Sequence, residues 1–297
     1  MAVDHGAMTT TVDPPGSARV DGLGGLGRPE VRGPAASAAD ACSESRVAAD
    51  LGIGAAPGRR PSVPVRERVA LAGVTAVALA LGAWNLPANG LGNQYYAAAT
   101  RSMTTSWGNF FFASFDPGGF ISVDKPPVAL WVWAISARVF GVSSWSLLLP
   151  GVLAGAATVA LLWCIVRRWF GVLAATVAGL ALAVSPVNVA VDRLNLPEPF
   201  LILALVAAAW ALLRSFASEH PMRWVVAAGC FLGVAFNTKM LAAFIPVPAL
   251  GLALLLGTAG WWARIARAGV FGAVGLVTAV SWMVVVDLVP AGSRPFL

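Results

Sequence analysis

The chain has 297 residues, 58% hydrophobic and only 11% charged, with a mean hydropathy of +0.76. A water-soluble domain must cover itself with polar surface, so this composition excludes one and calls for burial in a bilayer. The formal charge of +6 is nearly all arginine, with Lys125 and Lys239 as its lysines, and much of it flanks apolar segments. That pattern speaks for orientation in a membrane and against a nucleic-acid partner.

In chain order, residues 1–65 mix Pro, Gly, Ala, Ser and charges of both signs with no apolar run of signal-peptide type. They are expected to form a disordered cytoplasmic tail without chemistry. Apolar stretches near the ~20 residues that a spanning helix needs follow at 69–86, 145–166, 172–191, 199–216, 224–239, 241–257 and 268–289. Residues 125–140 are a further candidate, which basic residues place. With the listed stretches spanning and the amino terminus inside, Arg66 and Arg68, Arg167 and Arg168, Arg214 and Arg223, and Arg264 and Arg267 all fall on the cytoplasmic side. A span at 125–140 would put every later pair outside. That segment is therefore expected to lie in the outer interface as a short helix. Pro126 and Pro127 stand in its first turn and Trp131 and Trp133 at headgroup depth. It belongs to an outer loop over 87–144, which is expected to hold a second interfacial helix near 93–107.

After residue 68 the acids are Asp116, Asp124, Asp192, Glu198, Glu219 and Asp287, and in this topology only Glu219 is cytoplasmic. Ionisable groups near membrane depth are costly and usually mark a site. Three outer clusters can converge in a bundle: DKPP at 124–127, DRLNLPE at 192–198 and NTK at 237–239. Together they offer cations for a phosphate and carboxylates for general-base work. For any one of these residues, a role in fixing helix depth is as good a reading. Lys239 is the exception, since it has almost no loop to solvate it and so requires a buried or headgroup anion.

The order of these motifs carries a resemblance: SWGNFFFASFD at 106–116, VDKPPVALW at 123–131, RRWFG at 167–171, R-x-N-x-P-E at 193–198, then Thr238-Lys239. It resembles the polyprenyl-phosphate-sugar-dependent glycosyltransferases. These include the dolichyl-phosphate-mannose protein mannosyltransferases and the bacterial transferases that put aminoarabinose on lipid A; actinobacterial members are the most similar. The resemblance covers 84–297 and implies an all-α GT-C bundle of about seven transmembrane helices with a helical first outer loop. It also implies inverting transfer of a sugar from a polyprenyl-phosphate donor to an extracytoplasmic acceptor, whether protein, glycan or lipid, at the plasma membrane. On it, Lys125 contacts the lipid phosphate and Arg193 with Lys239 completes a positive pocket. Asp116, Asp124 and Glu198 are the candidate catalytic acids, and Asn93, Gln94, Tyr95 and Asn195 lie in the motifs that meet substrate.

Relatives usually carry an acid at the position of Gln94, which cannot act as a base, so Asp116 or Asp124 must take that part. The family also continues beyond this length, so residues 66–297 are expected to be a transmembrane glycosyltransferase module that lacks the family's carboxy-terminal part, an amino-terminal half, or one that needs a partner subunit. A catalytically inactive protein that retains lipid-phosphate binding is the alternative, and a transporter ranks below it. No cofactor is called for. His5 and His220 flank no acid cluster, and Cys42, Cys164 and Cys230 lack ligand spacing, so a metal has little support.

Overall fold

A computed structural model describes residues 64–290, 292, 294 and 295. Residues 1–63 of the expected tail, with His5 and Cys42, lie outside the described residues, and Val65 already opens the first helix. The described residues build an all-α bundle. Helix α1 (Val65–Ala83) ends near Asn85, whose left-handed backbone (φ 48°) asparagine tolerates better than most residues, and a 3₁₀ turn follows at Leu86–Asn89.

The outer loop is helical, as its pattern suggested, but the helix near 93–107 is two: α2 (Gln94–Met103) and α3 (Trp107–Phe111). Each has a side-chain cap. Asn93 Oδ1 accepts from the amides of Tyr95 (3.0 Å) and Tyr96 (3.3 Å), and Ser106 Oγ from that of Asn109 (3.0 Å). α4 (Val128–Phe140) starts after Pro126 and Pro127, where a missing amide costs nothing. Its Arg138 donates to the carbonyls of Met103 (2.8 Å) and Ser106 (2.7 Å) and lies 4.2 Å from the Trp107 ring centre. Met103, Ala113, Leu130 and Trp133 form the buried core of this loop. Trp133 was expected at headgroup depth and is instead 1% exposed, because the inward face of α4 packs it on Tyr96 and Phe200. The exposed side of α4 carries Ile135, Val139 and Phe140.

α5 (Ser144–Ala183) is a hairpin of two helical arms that meet at Gly171, whose φ of 81° and ψ of 179° suit glycine alone. Trp163 Nε1 donates to Thr176 Oγ1 at 3.3 Å. In one straight helix those residues would lie about 20 Å apart. RRWFG is thus the turn between two apolar arms. The stretch 172–191, expected as one span, breaks at Ser185, since Pro186 has no amide to continue the ladder, and α6 (Pro186–Asp192) is a separate short helix.

α7 (Glu198–Ser215) and α8 (Pro221–Lys239) form an antiparallel pair, and α8 also packs on α10 (Trp261–Leu288). Gly229 and Gly233 make the second contact close: a Cβ there would stand 2.9 Å from Phe271 O and 2.3 Å from Thr278 Cβ. The stretch 241–257 is a 3₁₀ turn (Met240–Phe244) followed by α9 (Val247–Gly257), and Pro246 and Pro248 stand at the start of that helix.

Among the described residues four helices are long and apolar enough to cross a membrane: α5, α7, α8 extended to Phe244, and α10. α5 contributes both of its arms. α1 carries Arg66, Glu67 and Arg68 in its first turn, and α9 has only 11 residues. The basic pairs gather at one end of the bundle. Glu67 pairs with Arg167, Arg168 and Arg214 share a hollow, Gly257 packs on Phe216, and Arg264 Nε donates to Thr258 O at 2.7 Å.

Gly151 lets α6 seat against α5, since a Cβ there would lie 2.9 Å from Asp192 O and 3.3 Å from Leu194 O, both backbone atoms. Gly151→Leu must push α6 and the following DRLNLPE segment away, and should destabilise the protein by about 1–3 kcal/mol. A lowered Tm in detergent, with Gly269→Leu (open space around it) unchanged, is the expected result.

Candidate active site

The approach to DKPP is held by the loop core. Val123 N donates to Ala113 O (2.9 Å) and Ser122 Oγ to Phe112 O (2.9 Å), which leaves Asp124 and Lys125 at the loop edge just before α4. Their side chains pair with each other, Lys125 32% exposed and Asp124 61%. Hydrogen bonding to Asp124 raises the Lys125 pKa, burial opposing it, so the ammonium stays charged through the neutral range.

A second ion pair stands on the two central helices. Glu198 occupies the first turn of α7 and Lys239 the last turn of α8, ends whose dipoles favour those charges. Antiparallel packing brings the ends together, and Lys239 Nζ donates to Glu198 Oε1. Glu198 Oε2 is buried with no partner among the described residues, and so is Trp133 Nε1 in the adjoining aromatic cluster. The anion that Lys239 required is Glu198.

Tyr96 adjoins α7 through the aromatic cluster, its ring 5.6 Å from that of Trp133, which lies 5.9 Å from that of Phe200. Its phenol pKa is raised, chiefly by burial, with the Lys125 charge lowering it and those of Asp124 and Glu198 raising it. The hydroxyl thus lies within electrostatic reach of both pairs and remains a protonated donor at neutral pH. Sequence reasoning gave Tyr96 only an interfacial part. The signal that would have found it is its place two residues past Gln94, on the other side of α2.

The remaining expected residues have other positions. Gln94 and Asp116 line a separate hollow of about 420 Å³ together with Arg101. Asp116 is fully engaged in loop closure. Its carboxylate accepts from the amides of Phe120 (3.0 and 3.1 Å) and Ile121 (2.8 Å), which hold its pKa below the usual carboxylate range, the Phe120 amide foremost. Tyr95 stacks on Phe115 at 4.8 Å.

Asn93 and Asn195 form a reciprocal pair: Asn93 N donates to Asn195 Oδ1 (2.5 Å) and Asn195 Nδ2 to Asn93 O (3.1 Å). Asn195 is fully buried, and its partner Asn93 caps α2, so the two fix α2 against the segment that leads into Glu198. Arg193, expected in the phosphate pocket, donates instead to Leu81 O at 2.9 Å, an open carbonyl at the end of α1. In NTK, Asn237 Nδ2 donates to Thr278 O (2.8 Å) and Ala279 O (3.1 Å) and ties α8 to α10, so only Lys239 reaches the cluster. Among the described residues no group of three or more His, Cys, Asp or Glu gathers to hold a metal.

The arrangement is two Lys–carboxylate pairs and a phenol at one end of a membrane bundle, under a helical loop. Cations placed so can neutralise a phosphate while a carboxylate accepts a proton.

Known proteins share this architecture. Two proteins of Bacillus subtilis (strain 168) named as mannosyltransferases, YycA and YkcB, are 41% identical over 211 residues and 40% over 207, each alignment covering 69% of this chain. The chain spans only 30% and 29% of their lengths. The crystal structure of ArnT from Cupriavidus metallidurans in the apo state matches with a TM-score of 0.59 at 25% identity, over 74% of this chain and 41% of that one. The Saccharomyces cerevisiae protein O-mannosyltransferase Pmt1–Pmt2 complex bound to its sugar donor matches with a TM-score of 0.61 at 17% identity, over 78% and 34%, a likeness of fold alone. The bundle is a GT-C fold. Residues 124–285, from the first acid of DKPP to the last turns of α10, match the model of the dolichyl-phosphate-mannose-protein mannosyltransferases, and the chain belongs to that family.

Proposed function

We propose that the chain carries the donor site of a glycosyltransferase that moves a sugar from a polyprenyl-phosphate carrier to an acceptor on the non-cytoplasmic side of the plasma membrane, with inversion. The two pairs Asp124–Lys125 and Glu198–Lys239, with Tyr96 packed through Trp133 on Phe200 of α7, carry this reading. The bond that breaks joins the sugar to a phosphate, so negative charge grows on the departing oxygen. Lys125 and Lys239 stabilise that charge. Asp124, the most exposed acid of the cluster, takes the proton of the attacking hydroxyl or amine. Glu198 holds Lys239 in place and offers Oε2 to the donor sugar, and Tyr96 donates from its phenol. Asp116 and Gln94, in their separate hollow, flank the approach of the acceptor. The arginine-rich end of the bundle faces the cytoplasm.

The test is incubation of the purified chain with labelled polyprenyl-phosphate hexose or pentose and a membrane extract, a full-length relative running in parallel. Label transfer is the expected result. None, with the relative active, removes the claim of activity and leaves a lipid-phosphate binder. Orientation is checked separately: cysteines placed at 124 and 196 should react with an impermeant maleimide from outside the cell, and labelling only after permeabilisation would invert the topology.

A further inference from the structure

One hollow in the described structure lies away from the candidate active site. It lies at the other end of the bundle, where α7 carries Arg214, about 24 Å from Glu198 along the helix. Its volume is about 460 Å³, and an adjoining hollow of about 320 Å³ shares Arg168 and Arg214 with it. The wall of the larger one holds three arginines, Arg167, Arg168 and Arg214, and one acid, Glu67. Glu67 pairs with Arg167, and those charges cancel. Arg168 and Arg214 form no ion pair among the described residues, so the wall keeps two uncompensated cations. Glu219 reaches only the smaller hollow.

Arg214 is also held in place. Its guanidinium lies 5.4 Å from the ring centres of both Trp210 and Trp224, and those indoles pack edge to face at 5.2 Å. Contact with aromatic faces fixes the guanidinium plane and leaves its N–H edge for an oxyanion, the geometry suited to phosphate. An arginine that only sets helix depth needs no such clamp. Beside the hollow, Trp169 (44% exposed), Phe170 (76%) and Leu173 (80%) present apolar side chains outward. In a bilayer these lie against acyl chains and headgroups, so an anion seated here joins an apolar body.

We propose that this hollow binds the phosphate of an anionic membrane lipid in the leaflet at the arginine-rich end, with Arg168 and Arg214 as its ligands. Basic pockets between spanning helices take such headgroups. The site is independent of the sugar-transfer reading, because none of its residues belongs to the cluster at Lys125 and Lys239.

The experiment titrates the purified, delipidated full chain in detergent with dioleoylphosphatidylglycerol, with dioleoylphosphatidylcholine and with inorganic phosphate, following bound lipid by native mass spectrometry and the Tm in parallel. Phosphatidylglycerol should bind about thirtyfold tighter than phosphatidylcholine, as two basic contacts near a membrane surface imply. Arg168→Gln with Arg214→Gln should abolish that preference, and Arg168→Gln alone, at an exposed position, should reduce it. Arg223→Gln, at the same end but outside the lining, should leave it unchanged. Equal binding of the two lipids would overturn the proposal. So would full retention of phosphatidylglycerol in the double variant, or an equal loss in Arg223→Gln, which would mean diffuse attraction and no site. A Tm rise with inorganic phosphate that depends on the same arginines, without lipid binding, would overturn the lipid and assign the hollow to a soluble phosphate.

Discussion

Lys239→Met should slow sugar transfer by roughly a hundredfold to a thousandfold, about 2.7–4 kcal/mol, the scale on which one preorganised charge-stabilising contact acts. Methionine keeps the length and apolar stem of the side chain and removes only the ammonium. The reacting phosphate then loses one of its two lysines, and Glu198, whose Oε2 already lacks a partner, loses the one on Oε1 as well. These effects are separable. If Lys239 serves only to neutralise Glu198, the double variant Glu198→Gln with Lys239→Met has no orphaned charge and should recover the transfer lost in the single variant. If Lys239 acts on the leaving phosphate, the double variant stays slow. The expected result is no recovery, with the loss mainly in kcat, because charge on the departing oxygen is greater in the transition state than in the bound donor. Lys239→Arg, which keeps the cation, should retain part of the rate, and an expression level and Tm close to the parent would exclude a folding defect.

The architecture was legible in the sequence wherever composition alone decides it. Apolar runs and arginine pairs were enough to find the helices, to read RRWFG as a turn and to keep 125–140 out of the count of spans. The limits failed at Ser185-Pro186 and at Met240–Phe244, where hydropathy stays high although the backbone changes, since a window average does not register a missing amide or a 3₁₀ turn. The site was legible in part for a different reason. Charges that must be neutralised near membrane depth need partners, so Lys239 announced an anion, and the antiparallel pairing of α7 with α8 supplied Glu198. Residues whose partners are backbone atoms gave no such signal. Arg193 on Leu81 O, Asn195 on Asn93 and Asn237 on Thr278 O each look like chemistry in a sequence, because an open carbonyl at a helix end or a close helix crossing leaves no mark in residue type. Tyr96 was hidden by the opposite effect. An aromatic beside a membrane reads as an anchor until the fold shows what stands around its hydroxyl.

Lys125→Ala should reduce transfer at least tenfold, the loss of one contact to the phosphate being worth on the order of 2 to 4 kcal/mol. The exposure of its acid partner sets it apart from Lys239, whose Glu198 is only 30% exposed. A side chain 32% exposed beside an acid 61% exposed contributes little to stability as an ion pair, so the variant should fold with an unchanged Tm, and its effect should appear in the reaction alone. The sign of the pH response follows from the raised Lys125 pKa. The ammonium persists through the neutral range, and its stabilisation of the leaving phosphate fades only as pH rises past the ordinary lysine range. The wild-type rate should therefore hold flat through neutrality and fall only on the far alkaline side. Lys125→Ala should run at a lower rate with that alkaline fall reduced, and Asp124→Asn, which removes the proton acceptor, should be slow at every pH. Asp116→Asn makes the contrast, since an asparagine oxygen still accepts from the Phe120 or Ile121 amide, and its transfer rate should stay near that of the parent. Unchanged turnover in Lys125→Ala would take Lys125 out of the site, and transfer lost in Asp116→Asn and kept in Asp124→Asn would move the base across α2 to the Gln94 hollow.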